Sequence, residues 1–144
     1  LIDKEKTMQS TYPPRRPGAG AIWLKLAVLY LIVGVALGIA MGASRDFTLR
    51  PVHAHVNLLG WATMALAGLV YSVYEQAGRS VLARIHFWLA NISMPLMAGA
   101  LSLALHGVSA AAPALVVSEI LAAAGVLVFA ANLFLNLDAQ SRVA

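Results

Sequence analysis

Apolar residues along this chain are gathered into four long runs, each close to the roughly 20 residues that cross a bilayer as a helix. They cover Ala21–Met41, Val52–Tyr74, Val81–Leu105 and Pro113–Leu137. The connections between them are short, so consecutive helices should be antiparallel neighbours in a four-helix arc or bundle. Ahead of the first run, residues 1–20 are polar and carry Pro13, Pro14, Pro17, Arg15 and Arg16, the composition of a flexible, solvent-facing arm. The expected organisation is an arm over 1–20, an all-α transmembrane domain over 21–137 and a tail over 138–144.

Composition strengthens that reading. The 144 residues are 60% hydrophobic and only 11% charged, whereas soluble domains average about 25% charged. The absence of cysteine removes disulfides, thiolate metal sites and cysteine nucleophiles together. A net charge of +4 does not imply nucleic acid, because Lys and Arg at helix ends give the same sum in a membrane protein. Their distribution predicts an orientation. Lys4, Lys6, Arg15, Arg16, Lys25, Arg79, Arg84 and Arg142 fall on one side, and only Arg45 and Arg50 on the other. Both termini are therefore expected in the cytoplasm, with a bacterial inner membrane as the setting. His53, His55 and His106 then lie near the outer surface and His86 near the inner one.

Two features of the helices concern packing. Gly34, Gly38 and Gly42 form a small-residue ridge on the first helix, along which another helix can approach closely. Pro95 removes one backbone hydrogen bond from the third and is expected to kink it.

The chemistry gathers in Arg50-Pro51-Val52-His53-Ala54-His55, at the start of the second run. Successive helical residues turn by about 100°, so His53 and His55 leave the helix roughly 200° apart and cannot ligate one metal from the same side. The side of His53 continues with Asn57, Gly60, Met64 and Gly68, and that of His55 with Leu59, Ala62 and Leu66. Each histidine heads its own groove. Flat apolar grooves with an imidazole at one end suit haem; interfacial histidines bonded to backbone or water are the plainer reading.

The run His53-Ala54-His55 with Leu59-Gly60-Trp61, Gly68 and Tyr71, followed by His86-Phe87-Trp88-Leu89-Ala90, resembles catalytic subunit I of the haem-copper oxidases. The cytochrome-cbb and nitric oxide reductase branch is the nearest. Gly125, Phe129 and Asn132 are loosely similar to its last helix. The resemblance covers about residues 45–137 and implies one four-helix arc of a twelve-helix ring. It also implies that His53 and His55 are axial ligands of two different haems, in agreement with the 200° separation. A homotrimer of this chain would rebuild the ring, with haem b held by His53 of one protomer and His55 of the next. Asn57, Trp61 and Arg50 would complete the surroundings, Arg50 and Arg45 by reaching haem propionates. The family's copper-site histidine patterns are missing from this chain, so no copper site of that type is expected. Electron transfer, or redox or gas sensing, fits better than oxygen reduction.

Four other residues remain open. Glu119, about six residues into the fourth run, is an ionisable group at costly depth. It is read as a proton carrier, a partner of Arg50 or His106, a ligand to a non-haem metal, or a structural hydrogen-bonded acid. His106 is a weaker metal candidate. His86 is expected at the interface or as a structural hydrogen-bond donor, and the tryptophans and tyrosines near interfaces or in packing. Two alternatives stand beside the haem carrier. One is an oxygen or nitric oxide reductase using haem and a metal near Glu119 or His106. The other is a cofactor-free accessory or assembly subunit of a respiratory complex. The electron donor and acceptor are not written in the sequence.

Overall fold

A short turn fixes how the first two helices are joined. α1 (Ala21–Ser44) ends where Arg45 takes a left-handed conformation, φ 56°. The Asp46 carboxylate then accepts hydrogen bonds from the Thr48 amide (2.9 Å) and hydroxyl (2.6 Å), closing a tight Asx turn. These particulars come from a computed structural model, which describes residues 18–137. Most of the polar arm and the tail, with Lys4, Lys6, Arg15, Arg16 and Arg142, lie outside the described residues.

α2 (Arg50–Val73) follows, then the short α3 (Glu75–Arg79), α4 (Val81–Leu105) and α5 (Ser109–Asn136). No strand occurs among the described residues. Four helices are long and apolar enough to cross a membrane, as the hydrophobic pattern indicates. The third span matches its expected limits, while α2 and α5 begin earlier than expected. Pro51 sits in the first turn of α2, where a missing amide hydrogen costs nothing. Pro113 likewise sits in the first turn of the regular α-helix that begins at Ala112, after the tighter turn Ser109–Ala111 of α5. Ser80 caps α4, its hydroxyl accepting from the Ala83 amide at 2.9 Å. At the other end the chain leaves α4 through Gly107, φ 82°, the left-handed residue that commonly stops a helix. The helix runs through Pro95 as one continuous element.

The spans are laid out as two hairpins side by side. α1 packs along α2 and α4 along α5, α2 and α4 meet over a shorter stretch, and the backbones of α1 and α5 stay apart. Close approach rests on small residues: the interior is largely Ala, Gly and Met, while Leu29, Ile32, Ile39, Leu58, Leu127 and Phe134 point outward. Lipid tails are as apolar as leucine, so packing of small residues rather than burial of large ones holds such helices together. At the end that carries His106, α4 and α5 flank an apolar groove of about 430 Å³ lined by Pro95, Gly99, Leu103 and Val108 among others.

α2 is not a regular α-helix. Over Val56–Thr63 its hydrogen bonds slip to the wider π pattern, a local form found often at functional sites. Two side chains attend to carbonyls at the ends of this segment. Asn57 Nδ2 donates to the His53 carbonyl at 2.8 Å, and the Thr63 hydroxyl donates to Leu58 at 2.7 Å.

Candidate functional site

The histidines fall into two environments. His53 and His55 both precede the π segment, in the regular helical turn Arg50–His55, so their separation of about 200° applies. The ring of His53 lies against α1. Its Nδ1–H donates to the Gly34 carbonyl at 2.9 Å. Carbonyl oxygen can only accept, so the proton is on Nδ1 and the lone pair on Nε2. Asn57 Nδ2 stands 3.4 Å from the same nitrogen; its stronger bond is to the His53 carbonyl. His55 is held in the same way within its own helix, Nδ1–H donating to Pro51 at 2.7 Å. His106 repeats the device at the end of α4, with Nδ1–H on the Ser102 carbonyl at 2.7 Å. Each of these rings leaves Nε2 as an unprotonated donor of a lone pair.

The glycine ridge of α1 makes room for this arrangement. A Cβ at Gly34 would stand 2.5 Å from the Asn57 amide, and one at Gly38 would stand 3.1 Å from His53 Cε1. A Cβ at Gly42 would meet nothing within 4 Å. Two of the three ridge glycines therefore seat α2. The groove expected along the His53 side is filled by α1 of the same chain, because Asn57 and Gly60 pack on Gly34 and Tyr30. His53 itself remains half-buried, and so does His55.

The other expected site residues are dispersed. Arg50 is exposed, its guanidinium 5.4 Å above the Phe47 ring. Trp61 packs with the core around Trp23, Met64 and Tyr71 rather than with the Val52–Val56–Met94 core beside His53. Glu119 is exposed on α5 and forms no salt bridge with Arg50 or His106; the ion pair found among the described residues is Glu75–Arg79. No three His, Asp or Glu side chains converge on a metal-sized space among the described residues. His106 is exposed and lines a shallow hollow with Asp46, Ser44 and Leu49.

The second environment is one that the sequence reading missed. His86 is buried in the protein rather than interfacial, at 3% exposure. Its ring is stacked between Trp23 (4.5 Å) and Phe129 (4.9 Å). Nδ1 lies 2.9 Å from the Tyr71 hydroxyl. Asn132, fully buried, donates from Nδ2 to the Ala77 carbonyl (3.1 Å) and to the Tyr71 oxygen (3.3 Å). Its Oδ1 accepts from Ser80 (2.8 Å) and Asn136 (2.7 Å). The Ala77 carbonyl fixes which way the amide faces. Tyr71 thus receives a hydrogen bond from Asn132 and spends its own proton on His86 Nδ1. His86 is therefore the opposite tautomer, with its proton on Nε2. The signal that could have found this knot was the co-occurrence of Tyr71, His86 and Asn132 near the same ends of three apolar helices.

Comparison with protein-family models, curated proteins and solved structures gives no match.

Proposed function

We propose that the chain is a membrane b-type haem protein, a single-arc relative of haem-copper oxidase subunit I that assembles as a homotrimer. Each haem is ligated by His53 of one protomer and His55 of its neighbour, and the protein transfers electrons or senses redox state. The observation that carries this reading is the common state of the two imidazoles. Both have Nδ1–H committed to a main-chain carbonyl and Nε2 free. A backbone acceptor on the far nitrogen is the usual support of a metal-bound histidine, since it fixes the ring and raises its basicity.

Bound haem would supply reversible one-electron chemistry at iron. The chain's part is to hold the two rings and to keep them apart. Gly34 and Gly38 let the His53 ring approach α1, where the Gly34 carbonyl fixes its tautomer, and the Pro51 carbonyl fixes that of His55. Arg50, exposed beside them, offers its guanidinium to a carboxylate. Because the rings diverge by about 200°, one chain supplies one ligand per iron, and a head-to-tail contact that closes into a ring supplies the other. Two histidine ligands would leave the iron no position for a gas, which favours electron transfer. In this reading both termini are cytoplasmic, which the lysine and arginine distribution along the sequence favours.

A reduced-minus-oxidised visible spectrum of purified protein tests the reading, with native mass measured on the same sample. The wild type should show b-haem bands in a trimer, and His53→Ala and His55→Ala should each lose most of the signal. A colourless wild type, a monomer retaining full haem, or an undiminished spectrum in either variant overturns it.

A further inference from the structure

The Nε2–H of His86 points to a use for the buried knot that packing does not explain. Nδ1 is taken by Tyr71, and Nε2 has no hydrogen-bond partner among the described residues. His86 also lines a cavity of about 40 Å³ between α2, α4 and α5, with Leu59, Thr63, Ser93, Met94 and Gly125 among its walls. A Cβ at Gly125, one of these walls, would stand 3.8 Å from His86 Cδ2, so the ring edge that carries Cδ2, next to Nε2, is turned toward the cavity.

We infer that this cavity is a hydration site, in which one water accepts from His86 Nε2–H and donates to the hydroxyls of Thr63 and Ser93. Size selects the ligand: liquid water takes about 30 Å³ per molecule, and a cavity needs only about 10–15 Å³ of probe-occupied volume to admit one. A space of about 40 Å³ therefore admits water. Hydrogen-bond capacity agrees. The Thr63 hydroxyl proton is used on the Leu58 carbonyl (2.7 Å) and that of Ser93 on Ala90 (3.3 Å). Both residues line the cavity and keep their oxygen lone pairs for accepting, and His86 supplies the donor. A water there makes three bonds, the usual number for a buried one. Thr63 closes the π segment of α2, so the slipped backbone and the histidine tautomer serve the same place. The hydrogen-bonded chain Ser80–Asn132–Tyr71–His86 then returns to α2 at Thr63 through water.

The test is proton–nitrogen NMR on the full chain in detergent, labelled with ¹⁵N-histidine and reduced so that any low-spin haem is diamagnetic. His86 should show the Nε2–H tautomer and a cross-peak from that proton to water. Gly125→Ala should abolish the cross-peak while leaving the tautomer, because the new methyl takes most of the cavity. Its Cβ would stand 3.5 Å from Leu89 Cβ and 3.8 Å from His86 Cδ2, ordinary contact, so the fold accommodates it. Thr63→Val should weaken the cross-peak. An Nδ1–H tautomer, a cross-peak to detergent or lipid protons in place of water, or no cross-peak in the wild type overturns the inference.

Discussion

His53 and His86 are the same residue on neighbouring helices, yet they carry their protons on opposite nitrogens. At the His53 end a main-chain carbonyl from Gly34 accepts from Nδ1, so Nε2 has a free lone pair. At the His86 end a phenol donates to Nδ1, so Nε2 bears the proton. The first arrangement suits a ligand to a metal and the second a donor to an oxygen. The difference lies wholly in the neighbour, since neutral imidazole offers one donor and one acceptor and leaves the choice to its surroundings. The two ends also differ in closure. Trp23, Tyr71, His86 and Phe129, one from each span, converge in the knot, whereas His53, His55 and His106 sit half-buried or exposed.

That contrast breaks first if the knot is removed. Asn132 serves Ser80, Ala77, Tyr71 and Asn136 at once, and stranding buried polar groups costs about 1–3 kcal/mol each. Asn132→Leu is expected to lose about 2–3 kcal/mol in thermal or denaturant unfolding in detergent. His53→Ala and His55→Ala, measured on protein without cofactor, should each lose less than about 1 kcal/mol. Equal losses at the two ends would erase the distinction between a structural and a ligating histidine.

The glycine ridge sharpens it next. Gly34→Ala drives a methyl into the Asn57 amide, 2.5 Å away, whereas Gly42→Ala meets open space. The first should cost about 1–3 kcal/mol as overpacking and the second almost nothing, as read by unfolding midpoints. Matching midpoints would mean that α1 and α2 are not seated through Gly34.

A smaller effect follows from Tyr71→Phe. Hydrogen bonds inside membrane proteins average about 0.6 kcal/mol, so stability should fall by roughly that amount. The sharper readout is nitrogen NMR of His86, whose Nε2–H form should lose its dominance once no phenol donates to Nδ1. An unchanged tautomer would mean that some other group fixes the ring.

The smallest effect lies in the loop beside Arg45. Hydrogen bonds from the Thr48 side chain and amide hold the Asp46 carboxyl below its usual range. A depressed folded value stabilises the folded state above the unfolded titration and loses that contribution as pH falls through the folded one. Carbon NMR should place the Asp46 midpoint below that of an ordinary aspartate, and Thr48→Val should raise it. A midpoint indifferent to Thr48 would remove the turn as its cause.

Much of the fold was legible in the chain. The apolar runs located four spans, and the third agrees to the residue with the helix that Ser80 and Gly107 bracket in the structure. α2 and α5 start ahead of their apolar runs, because their first residues, Arg50 and Pro51 in one and residues 109–112 in the other, are not part of the strongly apolar stretch. The π segment was not legible: its residues suit an α-helix, and the slip is attended by bonds from Asn57 and Thr63 that periodicity does not reveal. Nor was the knot, whose hydrogen bonds join residues 15 and 61 positions apart.

The sequence by itself determined the number and approximate limits of the spans, and the divergence of His53 from His55, because helical geometry is local and repeats every 3.6 residues. Tertiary structure alone decided that α1 fills the side of His53, that Glu119 stays apart from Arg50 and His106, and that His86 joins Tyr71 and Asn132. It also decided where each imidazole keeps its proton. That proton goes to the nitrogen facing an acceptor, and which acceptor stands there depends on a neighbouring helix rather than on the histidine's place in the chain.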